Sequence, residues 1–184
     1  FTGKMVDLQT ADKKTFQVYA SGSPDAAKQV LLIHEWWGLT AHVKGLADDF
    51  ARQGYRAYAI DLYGGKMTDK PEEAQELMGA AMNDKAGCQA KLNAAVRFSV
   101  AENSAARLGT LGWCFGGGWS LRAAIANPDG AACVILGPGT GVRPVIRAKQ
   151  MYHLPDTTDL MGFQLTNAGL RIVLDVNAKV DAKA

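Results

Sequence analysis

The stretch RLGTLGWCFGGGWSLRAAIA (residues 107–126) decides the fold. It opens with small and apolar residues typical of a buried strand, passes through glycines around Cys114, and continues as a helix former. Glycines two positions before and after the cysteine give the spacing Gly112-x-Cys114-x-Gly116, which predicts a sharp strand–turn–helix with Cys114 at the turn. Glycine is needed on both sides because the turn residue is strained and the helix passes close to the strand.

Strands and helices alternate around this turn. The predicted strands are a hairpin over residues 4–22, two buried strands at 29–36 and 55–63, and two later strands at 131–137 and within 169–181. The predicted helices follow residue 39 with Gly54 as a cap, begin again at Pro71, cover 89–102, and continue from Gly116. This order predicts an α/β fold with a doubly wound, mostly parallel sheet and helices on both faces.

Composition indicates one soluble globular domain over residues 1–184. Hydrophobic residues make up 48% and charged residues 21%, and the 20 basic and 18 acidic side chains are well mixed. No cluster of Lys and Arg marks a nucleic-acid surface, and no apolar stretch is long enough to span a bilayer. The sequence therefore predicts neither a nucleic-acid nor a membrane partner.

The number of cysteines indicates the redox state of the cellular compartment. Three of them, Cys88, Cys114 and Cys133, cannot all pair within one chain, so reduced thiols are expected. This favours a cytoplasmic location, and the periplasm stays open because the chain starts at Phe1 with no signal-peptide pattern. Cys88 falls in a helical run and Cys133 inside a buried strand, so both are predicted to be core residues.

Three chemically interesting segments share the carboxyl edge of the predicted sheet. Glu35, the segment 61–63 and Cys114 each follow a strand, and function in such sheets gathers at that edge. A helix N-terminus at Cys114 favours both a thiolate and a developing oxyanion. The backbone N–H groups of Trp36 and Phe115 are placed to bind that oxyanion. The competing interpretation of Cys114 is a buried cysteine whose glycines serve only close packing.

Three other functional motifs each lack one required residue in this sequence. A phosphate-binding loop of the form G-x-x-x-x-G-K-[ST] needs lysine where Gly118 stands, and the second glycine of a dinucleotide fingerprint would be Cys114 itself. The segment HEWWG (34–38) lacks the second histidine of a zinc motif, since position 38 is glycine. No metal site is predicted.

The segments VLLIHEWWGL (30–39), LADDFARQGYRAYAIDLYGG (46–65) and LGTLGWCFGGGWSLRAA (108–124) resemble the dienelactone hydrolase family, over roughly residues 1–137. This family is the cysteine-nucleophile branch of the α/β-hydrolase fold. The resemblance implies that Cys114 is the nucleophile and that Glu35 holds its thiol and takes the proton. It implies hydrolysis of lactones or small esters by a monomer without a cofactor. An aspartate and then a histidine, later in the chain, would complete the catalytic triad with the cysteine.

The resemblance also implies substrate-binding residues after the second buried strand. Tyr63 is one candidate. Where the family carries an arginine for the substrate carboxylate, this chain has Gly65 with Lys66 beside it. Lys66 would present a single ammonium charge, whereas an arginine would bind the substrate carboxylate through two parallel hydrogen bonds. The resemblance therefore does not directly imply that dienelactone is the substrate of this chain.

Residues 138–184 do not follow the family pattern. Asp181, with Asp175 as the weaker candidate, takes the position of the family's aspartate. His153 is the only histidine after Cys114 and precedes the aspartates, the reverse of the family order, so we expect it in a surface loop. The C-terminal part is thus expected to be atypical or truncated, which leaves an exposed sheet edge and allows self-association. A non-catalytic hydrolase-like protein without a general base is the alternative function.

Overall fold

The computed structural model describes residues 1–127, 129–130, 133–136 and 172–174. The strands are β1 (Lys4–Gln9), β2 (Thr15–Ser21), β3 (Lys28–Ile33), β4 (Arg56–Ile60), β5 (Arg107–Gly112), β6 (Cys133–Leu136) and β7 (Ile172–Leu174). The helices are α1 (Ala41–Arg52), α2 (Pro71–Asn83), α3 (Lys85–Glu102) and α4 (Phe115–Ala126). No helix among these residues is long and apolar enough to cross a membrane.

The strands form one mixed sheet in the order β1-β2-β4-β3-β5-β6-β7. The four central strands β4, β3, β5 and β6 are parallel, and β1 and β2 join them as an antiparallel hairpin. Because parallel neighbours end at the same edge, the segments after β3, β4 and β5 meet there. The predicted α/β sheet with its edge hairpin is confirmed.

Strand β7 runs antiparallel to β6, with Leu136 paired to Ile172 and Val134 to Leu174. The carboxyl end of β7 therefore lies at the amino end of β6, the edge opposite Cys114. The expectation that this strand carries an aspartate to the edge with Cys114 assumed a parallel strand, and β7 does not provide one. Asp175 and Asp181 themselves lie outside the described residues.

Helices cover both faces of the sheet, as predicted. Along β3, Leu31 and Ile33 face the cluster that includes side chains of α3 and α4, whereas Val30 and Leu32 face the cluster with α1. Alternating burial against two helical layers explains why this strand is continuously apolar.

Two helix ends follow from local signals. Gly54 adopts a φ of 84° after α1 and donates its N–H to the Ala51 carbonyl at 3.0 Å, which confirms it as the cap. Helix α3 begins at Lys85, four residues before the predicted start. Asp84 caps it by accepting the Gly87 N–H at 3.0 Å, a signal that the apolar spacing alone did not include.

A buried ion pair ties the end of α3 to β4. Arg56 donates to both carboxylate oxygens of Glu102 at 2.7 and 2.8 Å and to the Gly22 carbonyl at 2.7 Å. Tyr58 donates its hydroxyl to the same carboxylate at 2.6 Å. Burial alone would raise the pKa of Glu102, but the hydrogen bonds from Arg56 and Tyr58 outweigh it and lower that pKa.

A second buried carboxylate, Asp48 on α1, holds the start of the chain. It accepts hydrogen bonds from the hydroxyls of Ser21, Tyr19 and Thr2 at 2.6, 2.8 and 2.9 Å, and from the backbone N–H of Thr2 and Gly3. Burial opposes the charge of Asp48, but these donors lower its pKa well below the usual range. Helix α1 is thereby fixed to β1 and β2.

Candidate active site

Cys114 lies at the turn between β5 and α4, where the sequence predicted it. Its backbone has φ 51° and ψ −118°, in the left-handed half of the map that a non-glycine residue rarely adopts. The residue is exposed, in contrast to Cys88, which is buried. The exposure of Cys114 contradicts its interpretation as a buried packing residue. Its role as a nucleophile stays a prediction.

The glycines beside Cys114 are required by close backbone approach. A Cβ on Gly112 would overlap the Gly116 carbonyl oxygen and lie 2.9 Å from the Gly117 nitrogen. A Cβ on Gly116 would overlap the Ile33 carbonyl oxygen and come within 2.5 Å of the His34 carbonyl oxygen. The first turn of α4 is thus pressed against both β5 and the end of β3, which brings Cys114 to the segment that carries Glu35.

Two backbone N–H groups beside this turn have no acceptor among the described residues. These belong to Trp36, which follows Glu35, and Phe115, the first residue of α4. The carbonyl of Cys114 accepts from Gly117 at 3.2 Å, so the turn closes without using the Phe115 N–H. Both predicted oxyanion donors therefore remain available to a substrate oxygen.

Glu35 is half-buried and lines a cavity of about 330 Å³ at the carboxyl edge. The described residues around it are Ile33, His34, Glu35, His42, Val43, Leu46 and Trp113. Trp113 directly precedes Cys114 in the chain, whereas Cys114 itself is absent from the described lining. The structure thus places Glu35 and the neighbour of Cys114 at one cavity, and joint action of Glu35 and Cys114 stays a prediction.

His34 is a structural residue that sequence reasoning did not single out. It is 1% exposed, and its ring contacts Tyr63 at 4.6 Å and Phe115 at 5.9 Å between ring centroids. Its Nδ1 lies 2.5 Å from the Glu35 carbonyl oxygen, which can only accept, and its Nε2 lies 3.2 Å from the Leu62 N–H, which can only donate. Both ring nitrogens are therefore engaged in the neutral Nδ1–H tautomer. Burial lowers the pKa of His34 to about 4, against the opposing effect of its hydrogen bond to Glu35.

Asp61 shapes the loop after β4. It is 3% exposed, and its carboxylate accepts the backbone N–H of Tyr63 at 2.8 Å and that of Gly65. Tyr63 is buried, its hydroxyl has no partner among the described residues, and burial raises its pKa. The Tyr63 ring thus packs against the rings of His34 and Phe115, and a substrate contact of its hydroxyl stays a prediction.

Lys66 is exposed on the same loop, which pairs with the segment after Glu35. Gly38 bridges to Met67, and the Thr68 N–H donates to the Trp37 carbonyl at 3.1 Å. Lys66 is absent from the described lining of the cavity. Its predicted role in substrate binding stays a prediction.

His153 and Asp181 lie outside the described residues, so their predicted roles also stay predictions. His42, which the motif search passed over, lines the cavity opposite Glu35 from the first turn of α1. A single exposed histidine on a helix carries no sequence signal, so only the folded structure identifies it. Among the described residues, no group of three or more His, Cys, Asp or Glu side chains could hold a metal ion.

The mixed sheet, its two helical layers and the strained cysteine turn define an α/β-hydrolase fold. Residues 16–154 match the model of the dienelactone hydrolase family, and the chain belongs to that family. The motifs predicted a match over residues 1–137, and the family model extends it to residue 154.

Individual proteins agree with this assignment. Protein usf of Aquifex pyrophilus is 32% identical over 136 residues, which cover 69% of this chain and 57% of that protein. The solved structure of m3DLH is 26% identical with a TM-score of 0.60, covering 74% of this chain and 59% of the other. Dienelactone hydrolase from Anabaena variabilis, at 18% identity and a TM-score of 0.57, shares the fold over 74% of this chain and 63% of its own. The chain thus spans little more than half the length of these relatives.

Proposed function

We propose that the chain hydrolyses small esters or lactones through a thioester on Cys114. The observation that carries this proposal is the left-handed backbone of an exposed cysteine at the N-terminus of α4, with φ 51°. Strain of this kind persists only where the surrounding structure enforces it, and it concentrates at functional sites. Membership of the dienelactone hydrolase family supports the same chemistry.

The acylation step uses Cys114, Glu35 and the two free N–H groups. Glu35 takes the thiol proton, and the resulting thiolate adds to the substrate carbonyl carbon. The carbonyl oxygen becomes an oxyanion that accepts hydrogen bonds from the N–H groups of Trp36 and Phe115. Collapse of the intermediate breaks the bond to the alcohol oxygen, which leaves with the proton held by Glu35. The product is a thioester on Cys114 and a free alcohol.

Water must then cleave the thioester, and this step needs a base. The sequence candidates for this base and the acid that orients it are His153 and Asp181, both outside the described residues, since His34 already uses both ring nitrogens. Lys66 and Tyr63 are proposed to contact the substrate from the loop after β4. No cofactor enters any of these steps.

The test is the reaction of the 184-residue chain with 4-nitrophenyl acetate. We expect a burst of 4-nitrophenol equal to the protein concentration and an acetyl adduct on Cys114 by mass spectrometry. Cys114→Ala should abolish the burst, and Cys88→Ala, which removes a buried thiol, should keep it. A burst of unchanged size in Cys114→Ala would overturn the proposal.

The alternative is a non-catalytic hydrolase-like protein, favoured by the direction of β7, which ends at the edge opposite Cys114. That protein would be labelled by iodoacetamide at Cys114 in equal amount to the chain, yet would turn over no ester. Multiple turnovers that the same labelling blocks would exclude it.

A further inference from the structure

We infer that the cavity beside Cys114 selects neutral, apolar acyl groups and discriminates against substrates that carry a second carboxylate. The inference rests on the proposed ester hydrolysis and adds the class of substrate. Such a cavity differs from a site that binds an anionic lactone through cationic side chains.

The lining of the cavity is mostly hydrocarbon. Four of the seven described lining residues are the apolar side chains Ile33, Val43, Leu46 and Trp113. The polar members are Glu35 and two histidines, of which His34 is buried and already hydrogen-bonded on both nitrogens. A volume of about 330 Å³ lies in the lower part of the range for small-molecule sites.

The described lining of the cavity contains one acidic side chain and no basic partner for it. Glu35 has no ion-pair partner among the described residues, and none of the described lining residues is Lys or Arg. A second cavity of about 260 Å³ adjoins the first through His42 and Leu46, and its lining includes Asp48, Asp49 and Arg52. Arg52 pairs with Asp49 there, and the buried Asp48 carboxylate accepts hydrogen bonds from Thr2, Tyr19 and Ser21. A substrate carboxylate in the first cavity would therefore meet the Glu35 carboxylate and apolar walls, with no described lysine or arginine in the lining to offset the cost.

Three basic residues of the described chain, Lys66, Lys91 and Arg122, do not line this cavity. Lys66 lies on the exposed loop and outside the described lining, and the position before it is Gly65. Lys91 donates its ammonium to the Leu62 carbonyl at 3.0 Å. Arg122 lies over the Trp119 ring on α4. His42, with its imidazole between the two cavities, is the described side chain best placed to alter this charge.

Two matched substrates test the inference. In 4-nitrophenyl hexanoate and mono(4-nitrophenyl) adipate the acyl chains have the same length, and a terminal methyl group replaces a carboxylate. We expect kcat/KM for Cys114-dependent release of 4-nitrophenol to be about tenfold higher for the hexanoate, because the adipate carboxylate must leave water for an apolar cavity whose described lining offers no lysine or arginine. Equal values, or a preference for the adipate ester, would overturn the inference.

Substitutions at His42 can change the charge beside the cavity. Placing a permanent cation there with His42→Arg should reduce the hexanoate preference about fivefold, through a lower KM for the adipate ester. His42→Gln removes the imidazole without adding charge and should leave the preference in place. A preference that changes equally in both variants, or in neither, would contradict the assignment of the cavity as the acyl site.

Binding without catalysis separates this inference from the proposed function. Hexanamide and adipic acid monoamide can be titrated into the Cys114→Ala chain and followed by tryptophan fluorescence. Tighter binding of hexanamide, lost in the additional His42→Arg variant, supports the cavity assignment even if no ester acylates Cys114. Equal binding of the two amides contradicts it even if the acylation burst is observed.

Discussion

Gly116 and Ile33 touch through their backbones: a Cβ on Gly116 would overlap the Ile33 carbonyl oxygen. This contact sets the first turn of helix α4 against the end of strand β3. Glu35 follows β3 and Cys114 precedes α4, so the separation of these two candidate residues depends on the contact.

Replacing Gly116 by alanine should therefore damage both stability and acylation. The added methyl group must push α4 away from β3, which we expect to lower the free energy of unfolding by about 3 kcal/mol. Urea denaturation measures this loss, and the acylation burst should fall with it. Gly118→Ala is the matched control, since nothing lies within 4 Å of a Cβ there and alanine favours helix, so stability should rise by up to about 1 kcal/mol. Equal losses in the two variants would contradict the close contact.

The backbone of Cys114 predicts an unusual ranking of substitutions. Cys114 is the N-cap of α4, a position that already favours glycine over alanine. The φ of 51° adds to this preference, because glycine adopts this conformation without a Cβ penalty. We expect Cys114→Gly to exceed Cys114→Ala by about 1 kcal/mol in free energy of unfolding. Thermal or urea unfolding of the two variants decides the order, and the reverse ranking would argue against strain at the turn.

His34 predicts a pH dependence of stability. Its pKa is about 4 in the folded chain against 6.5 for an ordinary histidine, so the unfolded chain binds the proton first as the pH falls. The stabilising contribution of neutral His34 is complete above pH 6.5 and is lost progressively down to about pH 4, by roughly 3 kcal/mol in all. Between pH 6.5 and 5 the carboxylates contribute little, so this window isolates the histidine. The slope of unfolding free energy should flatten in His34→Gln and persist in His42→Gln.

The Arg56–Glu102 pair should be costly to break. Their side chains are 9% and 18% exposed, so Glu102→Gln leaves a guanidinium buried without its counter-ion. We expect a loss of about 3 kcal/mol in free energy of unfolding. Glu73→Gln is the matched control, because the Lys70–Glu73 pair is exposed and such pairs contribute about 0.5 kcal/mol. Similar losses in both variants would show that burial does not set the cost at Glu102.

Much of this fold could be predicted from local sequence, since glycine spacing and apolar runs have direct structural causes. The turn at Cys114 is the strongest example: Gly112 and Gly116 are glycines because backbone atoms occupy the place of a side chain. The predicted strands 29–36 and 55–63 end earlier in the structure, at Ile33 and Ile60. Apolar residues that follow a strand extend its sequence pattern, although they no longer form hydrogen bonds with the neighbouring strand.

Other features depend on partners that are distant along the chain. The direction of β7 relative to β6 cannot be predicted from its residues, because an apolar run has the same pattern in both directions. From the sequence alone, Asp48 belongs to a polar helix face, whereas in the structure residues near the start of the chain bury it. His34 and His42 show the same limit, because only the fold decides that His34 is buried and His42 exposed although both line one cavity.

The order of the strands has a consequence for when the turn at Cys114 is completed during folding. Strands β3 and β5 are neighbours in the sheet, yet Lys28 and its partner Arg107 are roughly 80 residues apart along the chain. The turn at Cys114 is local in sequence, but the Ile33 carbonyl against which Gly116 packs belongs to β3. Closing that long loop carries an entropic cost, so Gly116 can pack against β3 only when the centre of the sheet has assembled. In a chain in which β3 and β5 have not yet paired, Cys114 would therefore lack this support from the neighbouring strand.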